Sequence, residues 1–391
     1  MSLVTNRIED GILYLELNGR IDSSNAEQAE EQIKACRAAH PDLPFVLDAA
    51  NLEYLSSAGL RVVLRLRKDV AELKIVNVST EVYEILDMTG FTDMLKVEKA
   101  FRTLSLEGCK LIAKGANGAI YRYDEETIVK IYHNGASLEE IRLEKDMCRK
   151  VFIKGINTAI PYDVVKVGDC YGSVAELLSA RSVASLLRED VSKMDEVVEI
   201  YTDLLKKIHA TPILPDEMPS IKDTGVDWVE FLQPYLPADQ WEKLLGMMKA
   251  IPETGFMIHG DYHANNVMIQ NGEPLLIDMD TVAYGHPVFE FASIYLGFVG
   301  YSECNPANTL EFYGLSYETT VKLWNCLMER YFEDEALRAD VTRKAQVIGY
   351  ARMMRRTIRR NGLNTPDGQE LIALCKQRLT ELLPQVEQLY Y

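Results

Sequence analysis

The sequence predicts an α/β domain over residues 1–104, followed by a domain over residues 105–391 made of a β-rich lobe and a helical lobe. Short apolar runs alternate with helical periodicities through the first hundred or so residues, a meander of strands lies between residues 111 and 132, and helical patterns dominate from residue 183 onward.

Taken in order, residues 11–17 alternate as a strand and lead into Asn18-Gly19. Ser24-Asn25-Ala26-Glu27 has the spacing of a capping box and predicts a helix to about residue 39. Residues 44–48 read as a short apolar strand, 57–72 as a helix, 74–78 as a strand and 80–88 as a helix ended at Gly90. A last strand is expected at 94–97. Strands alternating with helices imply a sheet covered by helices, parallel wherever a crossover intervenes. Beyond it, five strands are expected near residues 111–113, 119–123, 127–132, 163–167 and 172–177, with a long helix at 137–152 and a hairpin around residue 271.

At 391 residues, 47% hydrophobic and 26% charged, the chain has the composition of a globular protein with room for two or three cores. No apolar run approaches the roughly 20 residues that span a bilayer, and the start MSLVTNRIEDGILYLEL lacks a basic, apolar leader, so a cytoplasmic location is expected. Seven cysteines without a CxxC pair point to reduced thiols rather than to a disulfide framework or structural zinc. A net charge of −17 argues against nucleic acid or an anionic membrane as partner.

The chemistry concentrates in three places. Gly115-Ala116-Asn117-Gly118 lies between two strands, where Gly115 and Gly118 let backbone N–H groups approach phosphate oxygens. No GxxxxGK[ST] segment is present, which excludes a P-loop. Lys130 sits in the otherwise apolar strand Ile128-Val129-Lys130-Ile131-Tyr132, where burial demands a carboxylate partner. Glu144 on the next helix is the expected partner, with Glu139 and Glu140 as alternatives. Third, Ile258-His259-Gly260-Asp261-Tyr262-His263-Ala264-Asn265-Asn266-Val267 is followed by Leu275-Leu276-Ile277-Asp278-Met279-Asp280, with the turn Asn271-Gly272 between. A two-residue loop pairs 265 with 278 and a three-residue loop pairs 266 with 278, so either register sets Asn266 within about 5 Å of Asp278 across the ladder. An amide oxygen beside a carboxylate suits Mg²⁺ that also binds ATP phosphates, and Asp261 stands where it can take a proton from a hydroxyl.

This HGDxHxxN…IDxD pattern, with the glycine loop and Lys130 upstream in the same order, resembles the aminoglycoside phosphotransferase and choline kinase family, relatives of protein kinases. The resemblance covers about residues 109–391 and implies a protein-kinase-like fold, with a five-stranded N-lobe at about 105–178 and a helical C-lobe at about 179–391. It further implies Asp261 as catalytic base, Asn266 and Asp278 as Mg²⁺ ligands, Lys130 on the α/β-phosphates with Glu144 as ion-pair partner, and the Glu176 backbone on adenine. Asp280 is expected to assist metal or substrate binding. Two departures stand out: Ala113 replaces the first loop glycine, and His286 stands where the family has aspartate. His259 and His263 are expected to hold the loop by hydrogen bonds. Arg352, Arg355, Arg356 and Arg359 share a helix face, with Arg360 beside it; such a face could bind an anionic substrate or a phosphoprotein, but a helix packed against acidic neighbours is the expected reason, and no site is assigned there.

Glu53-Tyr54-Leu55-Ser56-Ser57-Ala58-Gly59-Leu60-Arg61, with Gly19-Arg20-Ile21-Asp22, resembles STAS domains, including anti-sigma factor antagonists. The resemblance makes Ser57 the candidate phosphosite, although Ser56 replaces the family's preceding aspartate, and it implies a regulatory or protein-binding role. The chain therefore reads as an ATP- and Mg²⁺-dependent phosphotransferase acting on a hydroxyl of a small molecule such as an aminoglycoside, amino alcohol or sugar. The alternatives are a signalling kinase acting on a STAS serine such as Ser57 and a non-catalytic nucleotide sensor. Trp228, Phe231, Tyr235 and Trp241, in the helical insert at about 183–245, are candidates for acceptor contact or for plain core.

Overall fold

A computed structural model describes residues 2–70, 72–114, 118–132 and 138–391. Contacts group Met1–Ser105 with Val165–Asp169 as one unit, and Leu106–Val164 with Cys170–Tyr391 as a second. The Gly115–Asn117 segment of the glycine loop and the Glu139 side chain lie outside the described residues.

In the first unit the elements run β1 (Val4–Glu9), β2 (Ile12–Ile21), α1 (Ala26–Ala39), β3 (Phe45–Leu55), α2 (Ser57–Asp69), β4 (Lys74–Val78), α3 (Thr80–Met88), α4 (Phe91–Met94) and β5 (Lys96–Lys99). The sheet has the order β1-β2-β3-β4-β5. β1 pairs antiparallel with β2, and each later pair, bridged by a helix, is parallel. Leu13, Leu15 and Leu47 form the middle of its core. A short β6 (Arg102–Thr103) pairs in parallel with Val165 and Lys166.

Three details depart from the expectation. β1 was not anticipated, since its outward residues are nearly all polar. The last strand begins at Lys96 because Phe91–Met94 closes as a helical turn. The capping box does not form: Ser24 Oγ donates to Asp22 Oδ1 at 2.6 Å, and the side chain of the N-cap Asn25 bonds Asp22 N and Arg20 O instead of the helix's first N–H groups. At α2, by contrast, Ser56 Oγ accepts from Ala58 N and Gly59 N, while Ser57 is exposed in the first turn.

All five expected strands form: β7 (Lys110–Lys114), β8 (Gly118–Arg122), β9 (Thr127–Tyr132) and β11 (Cys170–Glu176) belong to the second unit, as does α5 (Leu138–Ile153), while β10 (Asp163–Val167) passes from the second unit into the first at Val165. β7, β8, β9 and β11 form an antiparallel ladder in the order β11-β9-β8-β7. Then come β12 (Arg181–Ser182), α6 (Val183–Glu189), α7 (Met194–His209), α8 (Ile221–Phe231), α9 (Ala238–Lys249), β13 (Met257–Ile258), β14 (Val267–Gln270), β15 (Glu273–Leu276) and β16 (Ala283–Tyr284). The chain closes with α10 (Val288–Phe298), α11 (Ala307–Tyr313), α12 (Tyr317–Tyr331), α13 (Glu335–Arg359) and α14 (Pro366–Leu382). α10 is apolar on every side except for Glu290 and Ser293, which suits a central helix, and it packs against α13. Among the described residues no helix is long and apolar enough to cross a membrane.

One buried charge in the first unit tests this packing. Asp48, 3% exposed in β3, accepts from Arg7 at 2.8 Å, Asn77 Nδ2 at 2.9 Å and its own strand at Ala50 N, 3.1 Å. Asp48→Ala leaves these donors unmatched at a cost of about 2–3 kcal/mol, discounted because Arg7 is half-exposed. Native-state hydrogen exchange should show the β2–β3 amides exchanging faster by about two orders of magnitude.

Candidate active site

Two crossings frame the site. β13 pairs with β16, Met257 opposite Tyr284 and Ile258 opposite Ala283, and β14 pairs with β15, Val267 opposite Leu276. The loops at 259–266 and 277–282 connect these two pairs, so residues far apart in sequence meet at one end of the hairpin. The turn is the two-residue form: Gln270 faces Glu273, and Asn271 and Gly272 take φ of 53° and 82°, the positive values of a type I′ turn. Beyond the ladder, Ile277 N still donates to Asn266 O at 3.0 Å. Asp278 then leaves the strand at φ 65°, a left-handed conformation that aspartate tolerates.

The loop that carries Asp261 is anchored from below. Glu290, fully buried on α10, accepts from His259 N at 2.6 Å and from Gly260 N at 3.0 Å. Gly260 O in turn accepts from Ser293 Oγ and from Arg352 Nη1, each at 2.9 Å, and His259 O accepts from Thr281 Oγ1 at 2.8 Å. Gly260 has φ of 80°, and a Cβ there would stand 2.5 Å from Thr281 O, so this position admits only glycine. His259 Nδ1 accepts from Asp261 N at 3.3 Å, which leaves Nε2–H to donate to Ile277 O at 3.2 Å. His263 Nδ1 accepts from Asn265 N, and its Nε2 lies 3.6 Å from Asp261 Oδ2. Burial lowers the pKa of both imidazoles, so they hold the loop as neutral rings, as expected from the sequence.

Facing this loop, Lys130 Nζ donates to Glu144 Oε1 at 2.7 Å and lies 3.2 Å from Asp278 Oδ1. The second Glu144 oxygen accepts from Tyr132 OH at 2.7 Å. Burial alone would strip the lysine of its proton, but Asp278 and Glu144 outweigh it and keep Nζ charged. Glu144, the partner expected for Lys130, therefore stands at its Nζ.

Asn266, 6% exposed, donates its Nδ2 to Asp261 O at 3.0 Å, which leaves Oδ1 as the atom available to a cation. Asp280 is pushed up to about 7, first by burial and then by the charge of Asp278. Among the described residues no three His, Cys, Asp or Glu side chains group closely enough to hold a metal by themselves. Hard oxygens from Asn266 and Asp278, in a pocket with uncompensated negative charge, fit Mg²⁺ that completes its shell with phosphate and water.

Gly118 is buried in β8, and a Cβ there would fall 2.2 Å from Ile131 O, so strand packing already requires glycine. Glu176 ends β11 opposite Thr127, with its side chain exposed. The sequence reading missed Glu290. Its signal was a lone acid in an apolar helix, the same signal that singled out Lys130. The arginine helix has the acidic neighbours expected of it, Asp227 acting on Arg355 and Glu290 on Arg352, and Arg352, Arg355 and Arg356 also lie over the rings of Trp228, Phe231 and Tyr301. His286, in the family's aspartate position, uses Nδ1 to accept from Val288 N at 3.2 Å. Trp228 is part of the core, and Trp241 Nε1 donates to Val229 O.

Glu290→Ala leaves two buried N–H groups unpaired; a loss of about 3 kcal/mol is expected, with faster hydrogen exchange at His259 and Gly260. In metal-free protein, Asp278→Asn removes the like charge beside Asp280, so carboxyl ¹³C titration should find the Asp280 pKa below its present value of about 7.

Comparison with known proteins places both units. Residues 4–105 match the STAS domain model. Over 101 residues, 25% of this chain, they are 38% identical to 85% of BtrV of Bordetella bronchiseptica, which is named for the anti-sigma factor antagonists. Similar solved structures include the gentamicin–APH(2")-IIa complex, at 16% identity over 81% of this chain and 99% of that one with a TM-score of 0.46. Macrolide 2'-phosphotransferase type I is another, at 13% identity over 77% of this chain and 98% of that one with a TM-score of 0.40. Residues 108–324, more than half of the chain, match the model of the phosphotransferase enzyme family, and the chain belongs to that family with a STAS domain ahead of its kinase-type unit.

Proposed function

We propose that the chain transfers the γ-phosphoryl group of ATP to a hydroxyl of a small molecule, with Mg²⁺. The observation that carries this reading is the convergence of Lys130, Glu144 and Asp278 opposite the anchored loop of Asp261. Lys130, held charged by its two carboxylates, contacts the α/β-phosphates, and the N–H groups around Gly115 and Gly118 cover them. The Glu176 backbone meets adenine. Mg²⁺, held by Asn266 and Asp278, neutralises phosphate charge when bound, and Asp280 supports that pair.

Asp261, its side chain 38% exposed and its backbone pinned, receives the acceptor's proton. As the acceptor oxygen bonds to the γ-phosphorus, the bond from that phosphorus to the β–γ bridging oxygen breaks, and ADP leaves. Positioning and charge supply most of the rate, since the protein forms no bond to the phosphoryl group.

A second reading, transfer to a STAS serine, has its support in Ser57, which is exposed at the start of α2 while Ser56 does the capping. The STAS domain then also serves as the contact for a protein partner.

Intact mass of the full chain before and after Mg²⁺-ATP, together with ADP release on a panel of hydroxylated compounds, separates the readings. Asp261→Ala should lower acceptor-dependent ADP release by about 10²–10⁴-fold while ATP still binds. A gain of one phosphate on Ser57 that is absent in this variant would move the function to signalling. Unchanged turnover in the variant would remove Asp261 from the mechanism.

A further inference from the structure

The last two turns of α13 carry Arg352, Arg355, Arg356 and Arg359 at i, i+3, i+4 and i+7. At the helical rise they cover about 10 Å along one face. That face begins at the catalytic loop, because Arg352 Nη1 donates to the carbonyl of Gly260, the residue before Asp261, at 2.9 Å. Farther along, Arg356 Nη1 lies 3.4 Å from Tyr301 OH, and its charge acts on His263, which neighbours Asp261.

Three of these guanidinium groups rest on rings: Arg352 over Trp228 at 5.2 Å, Arg355 over Phe231 at 5.8 Å and Arg356 over Tyr301 at 5.7 Å. A guanidinium supported by its face keeps its N–H edge for a planar anion. Among the described residues none of the four forms a salt bridge with a carboxylate, although the chain as a whole carries a net charge of −17. Arg355 Nε is buried without a hydrogen-bond partner. Burial, then the charge of Arg359 and finally that of Arg352, lower the Arg355 pKa, and Asp227 offsets only part of this. Four cations within eight residues, three of them over rings and none in a salt bridge among the described residues, form a cationic face that begins beside the proposed base, with the charges of Asp227 and Glu290 offsetting only part of it.

We propose that this face binds the phosphate acceptor through an anionic group, so that the substrate is a hydroxylated small molecule bearing a carboxylate or a phosphate rather than a polycation. The proposal rests on the kinase reading above and narrows its substrate class. Arg355, Arg356 and Arg359 grip the anion, with bidentate pairing available to either group, while the hydroxyl faces Asp261. A polyamine acceptor would meet like charge at the same place.

The test uses the full chain saturated with ADP and Mg²⁺, titrated calorimetrically with glucose 6-phosphate, gluconate, glucose and kanamycin. The expected result is binding of at least one of the two anions more tightly than glucose or kanamycin; which anion binds identifies the phosphate or the carboxylate as the recognised group. The double change Arg355→Gln/Arg356→Gln should weaken that anion at least tenfold with ADP affinity unchanged. If the double variant also loses ADP, the single change at the exposed Arg356 carries the comparison, with a threefold or greater loss expected. Glucose or kanamycin binding as tightly as both anions, no anion binding at all, or anion affinity indifferent to the arginine changes overturns the proposal. Failure of the unaltered chain to bind ADP would instead sink the kinase reading, an outcome visible before any acceptor is added.

Discussion

A carboxylate sealed inside the helical lobe governs the geometry of the site. Glu290 is fully buried on α10, and burial pushes its pKa up to about 7 even though His259 N and Gly260 N donate to it. Burying an acid is costly unless hydrogen bonds answer it. Here they come from consecutive peptide groups, which fixes the orientation of both. Thr281 holds the His259 carbonyl, while Ser293 and Arg352 hold that of Gly260. Asp261 therefore projects from a backbone referenced to the core helix, although its own side chain is partly open to solvent.

The second constraint is charge balance around Lys130. One ammonium faces Glu144 and Asp278, and Asp261 and Asp280 add further negative charge close by. Burial first, and then the charge of Asp278, raises the pKa of Asp280 in this setting. Such a pocket favours cations with oxygen ligands, and it orders the lysine before any phosphate arrives. Preorganisation of this kind spares the reorganisation that a flexible lysine would need during transfer.

What could be read in advance followed from local rules. Asn271-Gly272 set a two-residue turn because both residues accept positive φ, and the turn carried Asn266 and Asp278 to the same end of the hairpin. Lys130 stood out because a charge in an apolar strand requires a partner, and Glu144 lies at its Nζ. Glu290 obeys the same logic, yet its bonds run to backbone groups about thirty residues away, which side-chain pairing rules do not reveal. The arginine face was visible as a helical stripe, but not its setting, because the rings beneath it come from α8 and from the segment after α10. Near the N-terminus, Ser24 and Glu27 had capping-box spacing, but Asp22 competed for the serine hydroxyl and won. Short-range competition of this sort is invisible to a motif of fixed spacing.

The start of α2 assigns two adjacent serines different tasks. Ser56 accepts from Ala58 N and Gly59 N and so satisfies two of the first-turn donors, whereas Ser57 is exposed. A chemical mark on Ser57 therefore alters the surface without dismantling the cap beneath it. Capping and exposure are separated at this point by a single residue: a negative charge added at Ser57 would stand at a helix N-terminus, where the dipole favours it, and would leave the Ser56 cap in place.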